Sequence, residues 1–202
     1  MKTQNRTNIR FLTQLALLMA ITVVMAYTPL GYLRTPVLSV SFLTVPVAIG
    51  AIVLGPVAGA VLGLTFGLTS FYDAFTAGGM KAILLQLNPA ACFVTTVVAR
   101  VLCGLLCALV FAALARVLKG GKAAYALAAL SCPLFNTIFF MGFIMLFYYN
   151  SDYVQGLCQT YGVGNPIALI LAMVGVQGAI ELVVCGILAT AISIPVCKYL
   201  KK

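Results

Sequence analysis

The chain has three acidic residues and no histidine. An ionisable group inside an apolar run therefore stands out, and Arg100 and Glu181 are two such groups. In a bilayer such side chains are costly enough that they face a partner, a cavity or a ligand. Asn136, Gln177 and Thr96 occupy similar runs, with Gln177 four residues before Glu181 and Thr96 four before Arg100, so each pair shares a helix face. Counting about 1.5 Å per residue from the breaks at Asn88, Pro166 and Ala123 places Arg100 about 18 Å, Glu181 about 22 Å and Asn136 about 20 Å along their helices. All three depths fall in the middle third of a hydrocarbon core about 30 Å thick. An arginine there could grip a carboxylate through two parallel N–H bonds. Asn88, at the start of the Arg100 helix, extends the candidate polar lining. The same residues also permit a purely structural reading, in which Arg100 and Glu181 neutralise each other and Asn136 is an interhelical hydrogen bond.

Other chemistries find few residues to work with. Seven cysteines show no C-x-x-C spacing, so no metal centre and no disulfide framework is expected. Six lie in apolar runs, and Cys158 is expected exposed in a loop. One buried carboxylate and no histidine cannot assemble a nucleophile with its base or a pair of acids, so no enzyme is expected. No G-x-x-x-x-G-K-[ST] phosphate loop is present, so any ATP-driven process must borrow its ATPase.

The elements that carry these residues are membrane helices. Of the 202 residues, 63% are hydrophobic and 7% charged, against about a quarter charged in soluble domains. The formal charge of +9 is no nucleic-acid footprint, because the basic residues cluster between apolar runs. Spans are expected at Ile9 to Tyr27, Ser41 to Leu54, Pro56 to Ser70, Asn88 to Leu118, Ala123 to Tyr148 and Pro166 to about Pro195. Gly55-Pro56 separates the second and third, since proline disfavours helix in its predecessor and suits the first turn of a helix. Nine Lys and Arg residues then fall on one side and two, Arg34 and Lys81, on the other, which puts both termini in the cytoplasm. The expected fold is an all-α integral membrane protein of six transmembrane helices, a single domain over residues 1–202. Gly59, Gly63 and Gly67, four apart, make a bare ridge for close helix packing. The segment 28–40 holds Pro29, Gly31 and Pro36 and is expected to fold over the bundle, and 71–87 is expected to be a second external loop with a short helix at its end.

With these features the chain resembles the substrate-binding S component of an energy-coupling factor (ECF) vitamin transporter, most closely the pantothenate-type members. The resemblance rests on Ala16-x-x-x-Ala20, on Val45-Pro46-Val47-Ala48-Ile49-Gly50-Ala51-Ile52-Val53-Leu54-Gly55-Pro56 with the glycine ridge through Gly67-Leu68-Thr69-Ser70-Phe71, on Asn88-Pro89, and on Arg100. It implies a cell-membrane protein that captures a vitamin outside under lid loops, here with Tyr32, Arg34, Thr35 and Asp73, and then topples in the membrane. The implied partners are a transmembrane coupling subunit, docking on Ala16 and Ala20, and two cytoplasmic ATPases. No cofactor is implied. An intramembrane arginine suits the pantothenate carboxylate, although folate or nicotinate would bring one too. The alternative is a self-sufficient secondary transporter or channel for a small solute.

Overall fold

The structure is a computed structural model that describes residues 2–29, 31–34, 39–76, 78–119 and 121–200, with the backbone alone described at 2–8, 33, 34, 39, 40, 176, 177 and 200. Thr35 lies outside the described residues, as do the side chains of Arg34 and Gln177.

Helix α1 (Lys2–Ala26) leads into strands β1 (Tyr32–Arg34) and β2 (Ser39–Ser41), which pair antiparallel with Tyr32 opposite Ser41. There follow α2 (Thr44–Leu54), α3 (Pro56–Thr76), α4 (Met80–Leu87) and α5 (Pro89–Phe93). A π-helical segment, Val94–Val98, carries α5 on into α6 (Ala99–Val117), and α7 (Lys122–Tyr148), α8 (Asp152–Tyr161) and α9 (Pro166–Leu200) complete the chain. Among the described residues five helices are long and apolar enough to cross a membrane: α1, α3, the α5–α6 unit, α7 and α9.

The second expected span differs from expectation. It is an 11-residue helix, about 16 Å long, that cannot cross alone, and the residues before it form a strand. Pro46 supplies the physical reason. A proline fits best in the first turn, where its missing N–H would have no partner, and a helix begun at Ser41 would put Pro46 in its second turn, where it removes a hydrogen bond and crowds the turn before it. Residues 44–52 are buried all round, which makes α2 a core helix of the bundle. Its end matches the sequence reading: α2 stops at Leu54, α3 starts at Pro56, and Gly55 between them has φ +91°, a conformation that suits glycine.

The glycine ridge of α3 packs on the backbone of α6 and of the π-helical segment before it. A Cβ at Gly59 would strike the Gly104 carbonyl, one at Gly63 the Arg100 carbonyl, and one at Gly67 would lie 2.7 Å from Val97 Cα. Backbone-to-backbone approach is how helices associate where no water drives them together. Gly63→Val is therefore expected to cost about 1–3 kcal/mol or more by overpacking, read as a lower melting temperature in detergent. Gly142→Ala, where an added Cβ meets nothing within 4 Å, is expected to leave it unchanged.

Two further expectations are corrected at the other end of the chain. Residues 152–161 form helix α8 rather than a loop, capped by Ser151, whose Oγ accepts the Val154 N–H. Cys158 is accordingly buried, on the inner face of this amphipathic helix against α9, and not exposed.

Candidate functional site

Buried apolar residues form two clusters. One includes Phe66, Cys103, Cys132 and Cys185. The other lies at the end bearing α4 and α8 and includes Ala74, Cys92, Phe140 and Met173. On each of four helices a buried polar residue marks the passage from one cluster to the other: Ser70 on α3, Arg100 on α6, Asn136 on α7 and Glu181 on α9. The sequence brings single polar residues from distant segments to a common depth, and the bundle converts that depth into a polar layer between two dry ones.

Arg100 is 4% exposed. Its Nη1 donates to the Thr95 carbonyl at 2.8 Å, and its guanidinium carbon stands 4.5 Å from the ring centre of Phe140 and 5.1 Å from that of Phe66. Those aromatic faces attract the cation without neutralising it. The π-helical segment spans Thr95, and an inserted residue of this kind is a frequent device for re-aiming side chains at functional sites. Asn136 is 7% exposed and follows Pro133 by three residues on α7, so both helices are irregular beside the layer.

The pairing of Arg100 with Glu181 that the sequence left open is not a direct one. Among the described residues no carboxylate lies within 4.0 Å of the guanidinium. Glu181 instead accepts the Ser41 backbone N–H on Oε2 at 3.3 Å and the Asn136 amide on Oε1 at 3.5 Å. Left over in the buried layer are Arg100 Nε, a donor, Asn136 Oδ1, an acceptor, and the hydroxyls of Ser41 and Ser70, all without a hydrogen-bond partner among the described residues. A buried polar group left unmade costs about 1–3 kcal/mol, so several together mark a place where something else is meant to bind.

The remaining candidates are placed elsewhere or otherwise occupied. Thr96 is buried, but its hydroxyl donates to the Cys92 carbonyl of its own helix at 2.7 Å. Asn88 is exposed, and its Oδ1 accepts the Ala91 N–H at 3.1 Å, which makes it the N-cap of α5; the Asn-Pro signature is a helix start, not part of the polar layer. Asp73 pairs with Lys81 at 3.7 Å, and Lys81 Nζ sits 4.8 Å from the Tyr32 ring centre, so β1, α3 and α4 meet at one point. Beside it a cleft of about 690 Å³ is lined by Tyr27, Thr28, Tyr32, Tyr72, Asp73 and Thr76, among others. Tyr32 bounds this cleft, and its register partner on β2, Ser41, gives its backbone N–H to Glu181 of the layer, which links cleft and layer. Ser41, Phe66 and Phe140 belong to the site without having been candidates. For Ser41 the available signal is the alternation Ser39-Val40-Ser41-Phe42, a strand pattern.

Ala16 and Ala20 are both exposed on α1, while Leu15, Thr22 and Ala26 on other positions of that helix are buried. Packing within the bundle therefore does not account for the pair of alanines.

Compared with known families, residues 10–193 match a model described as ECF transporter, substrate-specific component. No curated protein matches the chain.

Proposed function

Because the chain belongs to the ECF transporter substrate-specific component family, and is thus a multi-pass cell-membrane subunit that confers substrate choice on an ECF module, we propose that it captures a carboxylate-bearing vitamin, pantothenate by preference. The distribution of basic residues favours a cytoplasmic position for both termini, an orientation in which α2 with the ribbon before it returns the chain through the bundle and the β1–β2 ribbon, α4 and α8 face outward. A solute reaches the polar layer past Tyr32, and its carboxylate is taken by Arg100. The protein then topples when docked through Ala16 and Ala20 to the coupling subunit, driven by the module's two ATPases.

The observation that carries this reading is the Arg100 guanidinium: buried between two aromatic rings and, among the described residues, without a carboxylate at ion-pairing distance and with Nε unpartnered. A buried cation in that condition is stabilised by an anion, and the neighbouring Asn136 Oδ1 and Ser41 hydroxyl favour one that also brings hydroxyl or amide donors. Pantothenate carries both, whereas nicotinate offers little beyond its carboxylate. The test is to purify the protein from a vitamin-producing host, denature it, and identify what is released. Stoichiometric pantothenate is the expected result; a different vitamin would move the ligand, and no vitamin at all in a folded preparation would refute the reading.

A further inference from the structure

Glu181 is the one acid buried in the polar layer, and both of its oxygens already have protein donors, unlike Arg100 Nε and Asn136 Oδ1. One of those donors is the backbone of Ser41, the last residue of β2 and the register partner of Tyr32. Cys185, four residues on and hence on the same face of α9, donates its thiol to the Ser41 carbonyl at 3.8 Å. Helix α9 thus engages both the N–H and the C=O of a single strand residue, as a neighbouring strand would. Across the ribbon Tyr32 lines the 690 Å³ cleft and lies under the Lys81 ammonium.

We propose that Glu181 is a positioning residue for the ribbon rather than a charge partner of the ligand: its carboxylate holds β2 on α9 and thereby seats Tyr32 at the mouth of the site. The hydrogen bond to Ser41 requires an acceptor of the right reach, not a negative charge. Its effect on the ligand is indirect. A tethered ribbon keeps the mouth closed over a bound solute, so the tether governs escape more than arrival. This last consequence rests on the proposed vitamin reading, whereas the tether itself does not.

Two conservative substitutions separate reach from charge. Glu181→Gln keeps an oxygen at the same distance and loses the charge; Glu181→Asp keeps the charge and withdraws the oxygen by one methylene. In the full-length protein in nanodiscs without ligand, hydrogen exchange over residues 32–42 is expected to rise about tenfold or more in Glu181→Asp and Glu181→Ala, and to stay within about threefold of wild type in Glu181→Gln. If Glu181→Ala does not fold, the Asp and Gln pair decides alone. With pantothenate as probe, the same loosened variants are expected to release it about tenfold faster with little change in association rate. A ribbon that exchanges faster in Glu181→Gln, or is held as in wild type by Glu181→Asp, overturns the proposal. If wild-type protein binds no pantothenate, the vitamin reading fails while the exchange measurement still decides the tether.

Discussion

Arg100→Ala is expected to weaken pantothenate binding by about 1.5–3 kcal/mol, roughly 10- to 150-fold in Kd, while the protein still folds. The size follows from losing a charge-assisted hydrogen bond at a side chain buried within the bundle. Folding tolerates the loss because the side chain's contacts with the protein are one bond to the Thr95 carbonyl and two aromatic faces, and no carboxylate within 4.0 Å is left bare among the described residues. Arg100→Lys is expected to recover only part of the affinity, since an ammonium keeps the charge but not the planar fork that pairs with a carboxylate. Isothermal titration or equilibrium dialysis with purified variants measures both. An Arg100→Ala protein that is folded and binds pantothenate as wild type would assign the arginine to helix packing and remove the main support for an anionic ligand.

The second large effect concerns partnership. Ala16→Trp combined with Ala20→Trp is expected to abolish co-purification with the coupling subunit and to leave pantothenate affinity within about twofold of wild type. Both alanines are exposed on a helix whose neighbouring exposed positions, Leu12 at 60%, Leu17 at 61% and Val24 at 62%, carry larger side chains. Two small residues among large ones form a notch into which another helix can settle at short range, the geometry that replaces hydrophobic driving force inside a membrane. Indole rings at those positions fill the notch without entering the bundle, because the buried residues Leu15, Thr22 and Ala26 occupy other positions on the helix. Undiminished co-purification of the double variant would place the docking surface elsewhere.

The apolar runs, the break at Gly55-Pro56 and the glycine spacing on α3 are local, and local steric and solvation rules act on them in the same way wherever the segment lies. For that reason α3, α7 and the α5–α6 unit could be anticipated to within a few residues at most ends, and the depth of Arg100, Asn136 and Glu181 followed from helical rise alone. Asn88-Pro89 was legible as a helix start, and Asn88 caps α5 in the structure. The π-helical segment beside Arg100 has no comparable signal in Val94-Thr95-Thr96-Val97-Val98, since one inserted residue leaves composition and period almost unchanged.

Long-range pairing belongs to a different class of information. Whether Glu181 meets Arg100 or the Ser41 backbone 140 residues away depends on angles and offsets between helices that no single segment encodes, and a shift of a few ångströms exchanges one partner for the other. The same holds for Cys158, whose neighbours are apolar only because α8 folds onto α9. The amino-acid order therefore establishes that a buried cation, an acid and an amide share one depth in a membrane bundle. The packed bundle assigns their hydrogen bonds, and among the described residues it leaves the arginine without a carboxylate at ion-pairing distance, because in a low-dielectric interior each polar atom binds whichever partner the surrounding packing brings within about 3 Å.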